Sequence, residues 1–438
     1  MANVLFTNVR IFDGSGGHPY TGEVLVEGNR ISRVSASTRS VPMGGVTVID
    51  GAGAFLMPGM VEAHTHFSWN DQPSLEAIAL MPPEEHILWC ASVAKRYLDM
   101  GWTSCVGAAA AKPRLDVVIR NAINSGMIVG PRYLAASQEI TVLGGLGDTT
   151  PPHLPYADLS FGAIVSGPEE MRRTVRQFIK YGVDSLKLNL SGESITPMPS
   201  EQSQFTDEEI AVCVSEAKAW GKRVSAHARS TASIKTCIRH GIEVIYHASY
   251  MDAEALDMLE AAKHKHFVAP GLAWLINTCH NASEFGITPE KARKMGYFTE
   301  LEAAIESMRQ MHKRGIRILP GGDYGFAWTP HGTNAKDLDY FVKHVGMTTT
   351  EALLSATAWG GPMMRMGDQL GQIKDGFLAD ILLIDGDPLA DITVLQKKER
   401  ILAVMKDGEF HRAPEVRSAY GSAGSAGSAS RGNTRWAA

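Results

Sequence analysis

His64, His66, Lys187, His227, His247 and Asp323 are of types that can serve metal ions, and each ends or nearly ends a short apolar run. The densest piece is Met57-Pro58-Gly59-Met60-Val61-Glu62-Ala63-His64-Thr65-His66. On a strand, alternate side chains share a face, so His64 and His66 project into one space. Two imidazoles held that way are half of a zinc site. A lone His-x-His is as readily a pair of strand histidines with no metal. The remaining four residues change that balance.

Lys187 lies in the apolar run Val183–Leu190, His227 ends Arg223-Val224-Ser225-Ala226-His227, and His247 ends Val244-Ile245-Tyr246-His247. Asp323 follows Ile318-Leu319-Pro320-Gly321-Gly322. Singly, each has a structural reading. Lys187 can snorkel from a strand end, the two histidines can be satisfied core residues, and Asp323 can be a turn residue. All six at or near the ends of five strands, in chain order, point to a site.

The elements that must position them alternate. Helical stretches at Leu88–Leu98, Pro168–Tyr181, Asp207–Trp220, Ser233–His240, Ala253–Lys263 and Leu301–Arg314 intersperse with strands such as Thr103–Gly107 and Phe267–Pro270. Roughly eight such units in about 300 residues fit an α/β fold of the (β/α)₈ TIM-barrel type, in which functional side chains lie at the C-terminal ends of the strands. We place this barrel at 57–365. Residues 1–56 and 366–415 read as short strands with turn signals, each too poor in apolar surface for its own core. Together they are expected to form one small composite β-sandwich. Residues 416–438 contain a Gly/Ser/Ala-rich flexible linker and read as a tail outside the functional chain.

A formal charge of −5 argues against nucleic acid or an anionic membrane as partner. No apolar run reaches transmembrane length, and the N-terminal stretch reads as a strand, not a signal peptide. Five scattered cysteines without Cys-x-x-Cys spacing suit reduced thiols. The expectation is a cytoplasmic protein acting on a small molecule.

The opening motif Pro-Gly-x-x-Glu-x-His-x-His resembles that of the amidohydrolase superfamily, as do Gly371–Asp380 and Asp385-Gly386-Asp387-Pro388 near the far end. The likeness covers almost the whole chain. It implies two divalent metal ions, zinc by preference: one on His64, His66 and Asp323, a second on His227 and His247. Lys187 would bridge them as a carbamate formed with carbon dioxide. A hydroxide between the metals would attack the substrate, with Asp323 passing its proton to the leaving nitrogen. Symmetric homo-oligomers are common in the family. Gly182–Lys187, His227-Ala228-Arg229 and His247–Asp252 look most like the branch of Xaa-Pro dipeptidases, lysine/arginine carboxypeptidases and ochratoxin amidohydrolases; phenylurea hydrolases are similar too. This chain departs at Tyr246, where the family commonly has Glu, and at Cys105-Val106-Gly107, where it commonly has Arg-Asp after the second strand.

On the substrate side the candidates are Arg229 for a carboxylate, Tyr250, Trp274, Trp328 and His331 around the barrel mouth, and His153 as part of a lid. The implied reaction is hydrolysis of the C–N bond of an aryl amide or N-acyl amino acid. An aryl urea or carbamate is the alternative, and a non-enzymatic scaffold of the same fold is the alternative of another class.

Overall fold

The computed structural model describes residues 3–37, 45–154, 160–196 and 198–414; the expected flexible tail at 416–438 lies outside them. The barrel begins with strand Met60–Thr65, parallel to Trp102–Gly107, which is parallel to Arg132–Leu134. After Ala135 the third strand resumes as Ala136–Val142 and pairs with Ser185–Asn189. Arg223–Ala228, Val244–His247 and Phe267–Ala269 follow, all parallel. The eighth strand is reduced to a parallel bridge between Val268 and Ile318. The ring closes where the Ala63 N–H donates to the Pro320 carbonyl at 2.9 Å. Pro320 has no N–H of its own to extend a ladder, which is why the last strand is so short.

The helices pack outside. Pro168–Tyr181 shows why the sequence folds this way. It has Pro at its start, Glu169 and Glu170 in the first turn, Lys180 in the last, and a left-handed Gly182 beyond it. Met171, Val175, Phe178 and Ile179 form its buried stripe. A helix absent from the sequence expectation, Leu272–His280, follows the seventh strand and buries Trp274.

Strands from both chain ends make one eight-stranded sheet. Ile381–Ile384 pairs antiparallel with Phe55–Pro58, which lies parallel to Val4–Ile11. Phe6 and Phe410 stand four strands apart in this sheet, about 19 Å if it were flat. Their ring centres are 6.0 Å apart, so the sheet folds over on itself. Phe6, Val24, Leu56, Leu383 and Met405 fill the space between its layers. All five cysteines are buried and free. No helix among the described residues is long and apolar enough to cross a membrane.

Candidate metal centre

The first strand delivers His64 and His66 into the barrel mouth, buried and with ring centres 5.0 Å apart. The eighth strand can approach them because Gly321 has no side chain; a Cβ there would lie 2.5 Å from that of His64. Asp323 then meets both rings, Oδ1 lying 3.1 Å from His66 Nε2 and 3.5 Å from His64 Nε2. His247 and Asp323 hold left-handed backbone angles, φ 72° and 63°. For non-glycine residues this conformation costs on the order of 1–2 kcal/mol each. The strain turns both side chains inward at their strand ends. Gly271 is required beside them, since a Cβ there would sit 2.8 Å from His247 Nδ1.

His227 packs 4.3 Å from His247, ring centre to centre. Its Nε2 bonds the Gly192 carbonyl at 3.0 Å, leaving Nδ1 as the free ring nitrogen. His66 similarly commits Nδ1 to the Ala109 carbonyl at 3.0 Å. If Nδ1 carries the proton, Nε2 presents a lone pair to the Asp323 carboxylate. Two acceptors facing each other at that distance repel unless a cation stands between them. His64 Nδ1, His66 Nε2, His247 Nδ1 and Asp323 Oδ1 are all buried without a hydrogen-bond partner among the described residues. His64, His247 and Asp323 each offer a ligand atom within 4.8 Å of the others. Burial pushes the pKa values of His64, His227 and His247 well down, so these rings keep their lone pairs. Burial works against the charge of Asp323, yet His64, His66 and Lys187 hold its carboxyl below the usual range. Buried imidazoles and a carboxylate gathered together, with orphaned ligand atoms, fit a divalent metal.

Lys187 is buried in the fourth strand, its Nζ 4.6 Å from the centre of the Tyr246 ring. Burial lowers its amine pKa against the pull of Glu139 and Asp323. Tyr246, the departure noted in the sequence, stacks on His64 with centres 4.0 Å apart.

A small cavity adjoins these residues. Its wall includes Asp323 and His227, the carboxylates Glu139 and Glu193, and the rings of Trp69, Trp274 and Phe326. Larger surface grooves contain none of the six ligand candidates. Trp69 lies flat on His66, with ring centres 3.5 Å apart and planes 5° from parallel.

The substrate candidates are placed unevenly. Trp274 is on the cavity wall. Trp328 stacks behind it on Phe326 and donates its indole N–H to Thr278. His331 bonds the Trp69 carbonyl and Tyr97 hydroxyl, bracing the loop after the first strand. Tyr250 is half-buried off the wall, and His153 is exposed. Arg229 is neither at the surface nor free: it is fully buried, with its guanidinium between Glu193 and Glu300. Glu139 and Glu193 escaped the sequence reading. Glu139 was accessible to it, since an acid in the run Ala136–Val142 is as conspicuous as Lys187 in its own strand.

A family model for the amidohydrolase family matches residues 55–410. The chain belongs to the amidohydrolase family. Ochratoxinase of Aspergillus niger is 28% identical to this amidohydrolase over 389 residues, covering 82% of this chain and 76% of that protein. The crystal structure of a Xaa-Pro dipeptidase with bound methionine superposes with a TM-score of 0.82 at 27% identity, over 94% of this chain and all of that one. Phenylurea hydrolase B shares the fold, with a TM-score of 0.72 at 22% identity over 93% of this chain and 96% of its own.

Proposed function

We propose that this amidohydrolase is a metal-dependent enzyme that cleaves the C–N bond of an aryl amide or N-acyl amino acid. The observation that carries the reading is the set of four orphaned ligand atoms, on His64, His66, His247 and Asp323, converging at the mouth of the barrel. The assigned holders are His64, His66 and Asp323 for one ion and His227 and His247 for another, zinc by preference. Lys187, as a carbamate, would stand between them. Bound there, the ions supply an acidified water and a Lewis acid for the substrate carbonyl.

The chain's own residues do the rest. Asp323, held ionised, takes a proton on the carboxylate oxygen not committed to the ion and returns it to the departing nitrogen, acting as base and then as acid. Gly192 and Ala109 fix the ring orientations of His227 and His66 through their carbonyls. Trp69, Trp274 and Phe326 offer flat apolar walls to an aryl group and exclude water from it.

The test is hydrolysis of N-acylphenylalanine, an aryl amide, a dipeptide with C-terminal proline and a phenylurea. Each is assayed before chelation, after it, and after zinc and bicarbonate are restored. Amide turnover that disappears and returns supports the reading. Turnover indifferent to chelation with no metal retained, or none at all in the reloaded protein, counts against it.

A further inference from the structure

Apart from Asp323, which the reading above assigns to a metal ion, the cavity wall has two carboxylates, on Glu139 and Glu193, and no cationic side chain among the described residues. Arg229 cannot supply the missing charge as it stands. It is fully buried, meets Glu193 and, at 2.5 Å, Glu300, and lies 5.3 Å from the centre of the Trp274 ring. Glu300 is anchored by the hydroxyls of Ser249 at 2.8 Å and Ser200 at 2.9 Å. Tyr297 donates to Glu193 at 2.8 Å. When Glu193 is ionised, one guanidinium between two carboxylates leaves an excess negative charge, and Glu193 brings it to the wall. Glu139 adds another, with one oxygen bonded by Asn189 at 2.9 Å.

A carboxylate entering this cavity would shed its hydration to face Glu139 and Glu193, a repulsive arrangement of the kind that sets specificity. The wall is otherwise built for an uncharged guest. Three aromatic rings face it, and the indole N–H groups of Trp69 and Trp274 are buried without a partner. These are neutral donors suited to an uncharged acceptor such as a carbonyl or ether oxygen.

We infer that Glu139 and Glu193 form a charge filter, so that the preferred substrates are amides of uncharged aryl groups and not N-acyl amino acids with a free carboxylate. This rests on the amide-hydrolysis reading above and selects between its two substrate classes.

Two molecules test it: N-acetylphenylalanine, and N-acetylphenethylamine, which is the same compound without the carboxylate. Burial raises Glu193 to about 7, so the assay is run at about pH 8.5, where that carboxyl is ionised. The filter predicts kcat/KM at least about 30-fold higher for the uncharged amide. Glu193→Gln should narrow that ratio at least about fivefold by improving the carboxylate substrate, with Arg229 then matched by Glu300 alone. Glu139→Gln should narrow it in the same direction, and remains informative if the first variant folds poorly. A preference for N-acetylphenylalanine, or a ratio that neither variant moves, overturns the filter. Calorimetric binding of the same pair reads the filter without turnover, and tighter binding of the uncharged amide by at least about tenfold is expected. That preference with no hydrolysis would support the filter and count against the hydrolytic reading, whereas equal or reversed affinities overturn the filter.

Discussion

The two ends of the barrel treat buried charge in opposite ways. At the N-terminal ends of the strands, charges are matched. Arg132 opens the third strand and donates to Asp380 at 2.7 Å, Asp407 at 2.5 Å and the Ser104 hydroxyl at 2.9 Å. Arg120 meets Asp184 before the fourth strand, and Arg223, opening the fifth, meets Glu243. At the C-terminal ends the pattern reverses: His64, His66, His247 and Asp323 keep atoms with no partner, and two of these residues hold strained backbone angles. Matched charge stabilises and joins the barrel to the terminal sheet. At the mouth, the partnerless atoms are gathered where they can serve a ligand.

The contrast can be broken most sharply at the mouth. Asp323→Asn or Lys187→Ala should lower amide turnover about 10³-fold or more. The loss should persist per folded molecule, whichever way either change moves the unfolding midpoint of the metal-free protein. Chemical denaturation beside steady-state kinetics checks both halves, and retained full activity in Lys187→Ala would discard its bridging role.

The opposite signature belongs to the base. Arg132→Ala leaves Asp380 buried and unpaired, a change that costs about 3–5 kcal/mol in comparable cases. It should leave turnover per folded molecule unaltered. A urea midpoint that does not move would show that the base is no better compensated than the mouth.

Asp116 tests the boundary between the two classes. Its carboxyl accepts from Tyr133 at 2.6 Å and the Ala136 N–H at 3.1 Å, while Oδ1 has no partner. Burial raises its pKa to about 7, with those two bonds opposing. An unfolded aspartate titrates near pH 4, so the stability of the protonated form is complete below about pH 4 and lost as pH rises to about 7. Asp116→Asn keeps the acceptor and cannot ionise. Its unfolding midpoint should therefore fall less than the parent's between those pH values, and parallel declines would remove Asp116 from the account.

What was legible in the sequence follows from how local each signal is. His64 and His66 declare themselves because a two-residue period puts both on one face. Lys187, His227 and His247 stand out as polar residues in short apolar strands. Arg229 was legible as a charge but not in its role, because its partners lie 36 residues before it and 71 after it in the chain. Position in a loop does not reveal a partner at that distance. The near-absence of an eighth strand was marked locally by Pro320-Gly321-Gly322. The flat contact of Trp69 on His66 had no sequence signal beyond an aromatic residue three positions later.

The central claim is that the orphaned atoms at the mouth are metal ligands. The direct measurement is metal content per chain of freshly purified protein, of chelated protein returned to zinc and bicarbonate, and of the Asp323→Asn and Lys187→Ala variants treated alike. The account predicts about two ions per chain in the parent, restored after chelation and reduced in both variants. A reloaded parent that holds no metal would contradict it and favour a scaffold without metal chemistry.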